Sequence, residues 1–580
     1  MEKDSILKFI YRFFDLIVLT YLVFDFGYSV HDIYKLPKFI GLIIITVALL
    51  VFNIFKFYYY KTSGRKKVAL FNAFVIGILM AASLVTAVIN IGLPYFDIFQ
   101  KIRPILESGL IIYFIIRLMI LVRFIYEIYY NPAIVFVGSF FAIIMIGAFL
   151  LMLPTATTAP ISFTDALFTS TSAVCVTGLS VLNISSGFTF LGQTILLCLI
   201  QIGGLGILTF TSFFSFFFRG SSSFREGLNV RDFTSQENLS DVLKVALNIV
   251  AFTLALELIG AFFIYTSIAE NPAITDKIFF STFHSISAFC NAGFSILSNG
   301  MNESVIKFDY YFQWIVMFLI VFGGLGYSII TNFFKYIITY VKELFQQKII
   351  HKTSRMVTLN TKIVLYTTVI LLVVGFVFLF FSEQNSTLRE HDSVFGKITS
   401  AAFHSVTPRT AGFNTVDYTD MTVPSLLFIT FLMWVGASPA STGGGIKTST
   451  FALATLNIFA IARGKSRIQI FGRRISSEST SRAFAILCIS LIVIGFAILA
   501  LLIFEPKGTD LLAVVFECFS AYSTVGLSLN FTPTLTEPSK YVIIVTMFIG
   551  RIGMLNLMIG LLRQINHQFY EYPKENILIN

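Results

Sequence analysis

A chain of 580 residues that is 56% hydrophobic and only 12% charged, with mean hydropathy +0.83, cannot be a soluble globular protein. Its formal charge of +10 needs no nucleic-acid partner, because the basic residues fall in loops on one side of the expected membrane. Cys175, Cys198, Cys290, Cys488 and Cys518 lie in apolar or glycine-adjacent runs without metal spacing, so no disulfide framework or zinc site is expected.

From the N-terminus, residues 1–8 run directly into an apolar segment with no small-residue cleavage site, which reads as a membrane helix rather than a removable leader. Four apolar runs, 6–30, 39–60, 68–93 and 109–130, are each near the ~20 residues a bilayer core requires. Lys61, Arg65, Lys66 and Lys67 mark the turn between the second and third as cytoplasmic. Asp15 and Asp25 in the first run and Arg117 and Arg123 in the fourth are costly at membrane depth unless paired. The two arginines are separated by Ile120 where an every-third-residue series would place the next charge, so a voltage sensor is disfavoured. Asp–Arg pairing inside an accessory bundle, residues 1–131, is the expectation.

A different pattern follows. Four stretches end at a glycine: FTSTSAVCVTG at Gly178, FHSISAFCNAG at Gly293, FHSVTPRTAG at Gly412 and FECFSAYSTVG at Gly526. These glycines are 115, 119 and 114 residues apart, so one unit recurs four times. A loop after a buried helix would explain one copy but not four at even spacing. A short helix that stops inside a bilayer hands over to non-helical backbone, which is tolerated there only when enclosed by protein or lining a cavity. Glycine takes the positive-φ conformations that point consecutive carbonyls the same way. Four such segments around an axis would make rings of oxygens able to replace the hydration shell of a monovalent cation. The partly negative helix C-termini would face the ion as well.

Each unit reads as helix, half-crossing pore helix, filter glycine, helix. The units span 132–235, 236–355, 356–474 and 475–580. Their spanning helices are expected at 134–153 and 192–218, 242–268 and 310–340, 363–381 and 424–462, 483–504 and 541–568. Thr164 with Asp165, Thr275 with Asp276, Asp392, and Thr509 with Asp510 stand where the pore helices open. The expected fold is an all-α membrane protein: four tandem helix–pore helix–helix repeats arranged pseudo-fourfold around one pore, preceded by an N-terminal bundle of about four transmembrane helices.

Arg219, Arg225, Arg231, Lys335, Lys342, Lys348, Lys352, Arg355, Arg463, Lys465, Arg467, Arg473 and Arg474 lie between units. Glu270, Asp276, Glu303, Asp309, Glu383, Asp392, Asp417, Asp420, Glu505, Asp510 and Glu537 lie on the filter side. Filters facing outward and both termini in the cytoplasm follow. The acidic loops would concentrate cations at the mouth, or are simply a solvated rim.

The return helices share a second glycine pattern: Gly203, Gly204 and Gly206; Gly323, Gly324 and Gly326; Gly443, Gly444 and Gly445; Gly550 and Gly553. Close helix packing accounts for the first two. In the third, Ser438, Pro439, Ser441 and Thr442 ahead of three glycines cannot continue a helix, so a loop under the filter is expected, with Lys447 after it. Such a loop could act as a movable plug. Arg551 stands where Gly204 and Gly324 stand in the first two units. It is expected near the pore axis, as a barrier to cations or a partner of the loop; snorkelling or pairing with a carboxylate such as Glu517 is the other possibility.

Taken together, these residues resemble the Trk/Ktr/HKT superfamily of potassium transporters, closest to the Ktr/Trk membrane subunit, over residues 132–570. The motifs that carry the likeness are VTGL, NAGF, TAGFNT and TVGL, the FHSVTPRTAGFNT run ending at Thr415, GASPASTGGGIKTST, and Arg551. The resemblance implies that potassium is coordinated at Val176, Thr177 and Gly178; Asn291, Ala292 and Gly293; Thr410, Ala411 and Gly412; and Thr524, Val525 and Gly526. It implies a gate of Gly443, Gly444, Gly445 and Lys447 with Arg551. It implies potassium as the transported ion, no organic cofactor on this chain, and a multi-pass homodimer in the plasma membrane bilayer. The expected partner is a cytosolic nucleotide-binding regulatory ring of RCK/KTN type. Gly178, where sodium-selective relatives often carry serine, favours potassium. Four N-terminal helices exceed what most members carry.

Two other readings stand beside this one: a sodium-permeable or poorly selective cation transporter, and a polytopic membrane enzyme. Against the enzyme, His284 and His404 recur in pore helices without an accompanying nucleophile or metal cluster, which suits a structural hydrogen bond.

Overall fold

The computed structural model describes residues 17–18, 20–25, 27, 35–59, 63–90, 98, 101–110, 112–113, 132–206, 242–345, 357–439, 441–465 and 467–553. Helix dominates them; Gln469–Ile470 and Arg473–Arg474 pair antiparallel in one small hairpin.

Two long N-terminal helices, Lys35–Tyr59 and Ser63–Ile89, pack side by side. Residues 101–110 are also helical, so helix begins ahead of the expected fourth run. Leu22, Leu42, Leu49, Ile76, Leu106 and Leu110 share one apolar cluster. The Asp25 side chain is fully buried and meets Arg103 at 3.2 Å, while Arg103 also pairs with Glu107 one turn on. The buried acid therefore has an arginine partner, but not one from the fourth run; Asp15, Arg117 and Arg123 lie outside the described residues. Arg103→Ala is expected to cost about 1.5–3 kcal/mol by removing a charged donor from Asp25. The midpoint of thermal unfolding in detergent reads this.

Each later unit has three principal helices. The lead helices are Pro132–Leu151, Val242–Ile268, Leu359–Ser382 and Ser477–Phe504. The short helices are Phe163–Val174, Lys277–Cys290, Val394–Val406 and Leu511–Ser523. The return helices are Phe190–Leu205, Tyr310–Leu325, Val423–Trp434 and Glu537–Ile552. Ser477–Phe504 exposes Leu491, Ile492, Phe496, Leu499, Leu502 and Ile503, an apolar face that suits a bilayer and not water. Among the described residues, five helices are long and apolar enough to cross a membrane.

The return helices are shorter than expected. The first, second and fourth stop at Gly206, Gly326 and Gly553, with φ of 74°, 76° and 84°. A left-handed residue ends a helix because the chain can no longer present N–H groups to the preceding turn, and glycine adopts it without steric penalty. In the second unit the chain bends by 101° at this break and continues as Tyr327–Phe345, so 310–340 is not one straight span. Residues 207–218 and 554–568 of the first and fourth expected spans lie outside the described residues. The third expected span is divided into Val423–Trp434 and Thr448–Ala462, as its Ser-Pro and triple glycine require.

Short-helix packing runs in a cycle. Phe163–Val174 packs on the return helix of the fourth unit, Lys277–Cys290 on that of the first, Val394–Val406 on that of the second, and Leu511–Ser523 on that of the third. Phe168, Phe283, Phe403 and Phe516, the first residues of the four glycine-terminated stretches, are all fully buried. Lipid is as apolar as phenylalanine, so in a membrane this burial stabilises through close packing rather than escape from water.

Four of the eleven acidic residues expected in the filter-side loops turn out to be helix caps. Asp276, Asp309, Asp417 and Asp510 accept N–H groups from Phe279, Phe312, Thr419 and Leu512, and Ser162 and Ser393 cap the other two short helices. Thr164 and Asp165 lie inside the first short helix rather than capping it. Glu383 and Glu505 are buried, not part of a solvated rim. Glu383 Oε1 accepts from Thr422 N and Oγ1 at 3.0 and 2.7 Å, and Glu505 Oε1 accepts from Thr536 N and Oγ1 at 2.9 and 3.1 Å. Each carboxylate thus sits at the N-terminus of its unit's return helix, where the helix dipole favours negative charge.

Burial pushes the Glu383 carboxyl up, but hydrogen bonds from Ser425, Thr422 and Thr387 outweigh it and hold the group below its ordinary 4.5. A lowered folded-state value means stability that is complete above the unfolded value and is lost as pH falls through the folded one. Glu383→Gln is therefore expected to destabilise by about 1.5–3 kcal/mol at neutral pH. That difference should vanish in acid; thermal melts at pH 7 and below pH ~3 compare the two.

Candidate functional site

The four glycine segments share one backbone conformation. Val176, Asn291, Thr410 and Thr524 have φ of 54°, 60°, 71° and 50°, and two residues later Gly178, Gly293, Gly412 and Gly526 have φ of 95°, 70°, 77° and 94°. The residue between them is not in the positive-φ region, so the backbone alternates. Three of the four non-glycine positions are β-branched, for which positive φ is a real strain of order 1–3 kcal/mol. Strain of this size persists only where the surroundings over-determine it.

Those surroundings repeat. Thr177 N, Ala292 N and Val525 N donate to the carbonyls of Ser172, Ser287 and Ser520 at 2.8, 2.7 and 2.9 Å, and Gly412 N donates to Thr407 O at 3.3 Å. The same hydroxyl residues act again: Ser172 and Ser520 accept from Gly178 N and Gly526 N, while Ser287 and Thr407 donate to Phe294 O and Phe413 O. One turn earlier, His284 bonds Ser295 Oγ at 2.9 Å, His404 lies 3.5 Å from Thr415 Oγ1, and Glu517 accepts from Ser528 Oγ at 2.7 Å. These side chains tie each short helix to the strand leaving its glycine. The two histidines serve structure here.

The segments also meet each other. A Cβ built on Gly178 would lie 2.5 Å from Ala292 O, and one on Gly293 would lie 2.7 Å from Ala411 O. One on Gly412 would strike Val525 O, and one on Gly526 would strike Thr177 O. The order 178, 293, 412, 526 and back to 178 is a closed cycle supplied by one chain. No side chain fits at any of these positions.

The loop 435–447 lies against this cycle. Cβ atoms on Gly443 and Gly444 would strike Thr410 Oγ1 and Thr524 Oγ1, and one on Gly445 would come within 3.1 Å of Ser523 Cα. Because Tyr310–Leu325 stops at Gly326, its last carbonyls have no later turn to bond. The loop supplies the donors: Ser438 N to Gly324 O at 3.0 Å, Thr442 N to Gly323 O at 3.3 Å and Ser438 Oγ to Leu325 O at 2.5 Å. Arg551 donates to Thr442 O and, at 2.5 Å, to Gly203 O, and Lys447 Nζ reaches Gly443 O at 2.5 Å. Arg551 thus bonds the loop and not Glu517, whose carboxylate is taken by Ser528 and Thr532.

With this geometry in place, similarity decides the family. The TrkH family, described as cation transport protein, matches residues 125–570. The chain belongs to the TrkH family of cation transport proteins. Among its relatives, the potassium/sodium uptake protein NtpJ of Enterococcus hirae is 34% identical over 455 residues, which cover 77% of this chain and 97% of NtpJ. The Ktr system potassium uptake protein B of Vibrio alginolyticus is 36% identical over 445 residues, 76% of this chain and 93% of that protein. The crystal structure of the potassium transporter TrkH from Vibrio parahaemolyticus superposes with a TM-score of 0.59 at 17% identity, covering 90% of this chain and 98% of that one. That structure speaks to the fold alone.

Several residues of this TrkH-family site escape sequence reasoning. Positive φ at Val176, Thr410 and Thr524 has no local signal, since these residue types avoid it. The supporting hydroxyls Ser172, Ser287, Thr407 and Ser520 do carry one: they recur shortly before each glycine, by five residues in the third stretch and six in the others. Arg409 and Gly436 fall inside the FHSVTPRTAGFNT and GASPASTGGGIKTST runs, but nothing in the sequence assigns either of them a role.

Proposed function

We propose that the chain is the ion-translocating subunit of a potassium uptake system in the plasma membrane. Units 132–235, 236–355, 356–474 and 475–580 surround one pore with pseudo-fourfold symmetry. The observation that carries this reading is the closed cycle of glycine contacts with alternating φ. Such strands turn carbonyl oxygens toward a shared axis, where they replace the water around a dehydrated cation. Val176, Thr177 and Gly178, with Asn291, Ala292 and Gly293, Thr410, Ala411 and Gly412, and Thr524, Val525 and Gly526, line that filter.

Below it, the loop carrying Gly443, Gly444, Gly445 and Lys447 is the gate, and Arg551 holds it shut while adding a positive barrier. The filter faces outward and both termini face the cytoplasm, a sense supported by the basic connections between units. Residues 1–131 form an accessory bundle. The subunit works as a homodimer on a cytosolic nucleotide-binding ring, a reading supported by relatives named as parts of a Ktr system. It moves an ion and catalyses no covalent reaction.

Potassium as the ion is supported by the names of the relatives. A sodium-permeable pathway is the second reading, favoured by the relative named for both ions. Uptake of radioactive rubidium into proteoliposomes separates the two. Competition by potassium but not by sodium is expected; equal competition by both would overturn potassium selectivity.

A further inference from the structure

In each unit one residue stands just ahead of the first positive-φ position: Cys175, Cys290, Arg409 and Ser523. Three are small and buried beside the glycine segment. The third unit instead places a guanidinium there, 7% exposed, in the middle of an apolar assembly. A buried cation at membrane depth is costly, so its partners matter.

Arg409 Nη2 donates to Gly436 O at 3.0 Å, while Nη1 has no hydrogen-bond partner among the described residues. Gly436 (VGAS), ahead of the Gly443–Gly445 run, aligns in sequence with Gly203 (IGGL), Gly323 (FGGL) and Gly550 (IGRI). Those three lie inside return helices, packed against the carbonyls of Val174, Phe289 and Tyr522 at the ends of their short helices. In the third unit the helix has already ended at Trp434, and no further helical turn offers an N–H to the Gly436 carbonyl. The arginine supplies that donor from the glycine segment itself.

Arg409 also lines a cavity of about 20 Å³ with Ile320, Gly324, Thr368, Val406 and Ala437. Val321 and Leu372 complete a mostly apolar lining. The cavity lies between the second return helix, the third lead helix and the first residues of the loop.

We propose that Arg409 is a positioning residue that latches the start of the loop to the third glycine segment, as Arg551 latches its middle at Thr442. The two arginines hold loop carbonyls six residues apart, at Gly436 and Thr442, from different units. Opening the pathway requires both bonds to release. The inference rests on the loop being the gate of a cation pore.

The test uses full-length protein in proteoliposomes without any cytosolic partner. Cys198 and Cys488, the two exposed cysteines, are changed to serine, and Ser441→Cys is added to report the loop. Rubidium flux and the rate of labelling by a membrane-impermeant thiol reagent are measured for the parent, Arg409→Lys and Arg409→Met. Losing a charge-assisted bond shifts a two-state equilibrium by about tenfold or more. Flux and labelling should therefore both rise by about that factor in Arg409→Met, which keeps bulk without a donor, and stay near the parent in Arg409→Lys. Rubidium-over-sodium preference should be unchanged in both.

Flux and labelling in Arg409→Met within twofold of the parent, or a lysine variant as leaky as the methionine one, would overturn the latch. Faster labelling in Arg409→Met, with no rubidium flux in any variant, would support the latch and sink the transport reading. If Arg409→Met does not assemble, Arg409→Leu, which also lacks a donor, replaces it under the same criteria.

Discussion

Rubidium uptake is expected to fall by about tenfold or more when Gly526 is replaced by alanine, a loss equivalent to at least ~1.4 kcal/mol. Two costs act together. The φ of 94° places the residue where a Cβ costs about 1–2 kcal/mol. The new atom would also strike Thr177 O and lie 2.9 Å from Gly178 Cα, both of them backbone that cannot rotate away. Overpacking of this kind costs about 1–3 kcal/mol and is relieved only by widening the cycle. A wider ring of carbonyls no longer matches a dehydrated potassium ion. Gly464→Ala is the control: its φ is 69°, but nothing lies within 4 Å of the added Cβ, so uptake should be preserved. Growth in potassium-limited medium and uptake per purified protein measure both. Normal uptake by the Gly526 variant would mean that the four segments do not enclose the ion.

The second large effect has the opposite sign. Arg551→Gln should raise flux in the absence of a regulatory partner by about tenfold, because it removes charge-assisted bonds to Thr442 O and Gly203 O. With Arg551 beneath the filter as proposed, removing its positive charge also lowers the electrostatic barrier to a cation, so both effects push in one direction. Rubidium efflux from loaded proteoliposomes is the measurement. Unchanged flux and unchanged ion preference would remove Arg551 from the pathway.

Much of this architecture is legible in the chain because the chain repeats itself. The interval between Gly178, Gly293, Gly412 and Gly526 announces four like units, and the Ser-Pro and triple glycine of the third unit announce a broken helix. Composition alone requires a membrane. The acidic loops were legible as a pattern but not in cause: helices that start on one face need caps there, so Asp276, Asp309 and Asp510 serve N-termini and Glu383 and Glu505 are buried. The ends of the return helices were less visible, since GGLG reads equally as close packing and as a stop.

By itself, the order of residues determined the class of protein and marked the four evenly spaced glycines, since hydropathy, periodicity and the steric freedom of glycine are local properties. Only the tertiary structure decided which strand each glycine touches, that Val176, Asn291, Thr410 and Thr524 take positive φ, that Asp25 pairs with Arg103, and that Arg409 and Arg551 both hold one loop. Those outcomes depend on groups more than 25 residues apart meeting at hydrogen-bond distance, and such meetings are selected by the packing of the whole assembly rather than by any stretch of it.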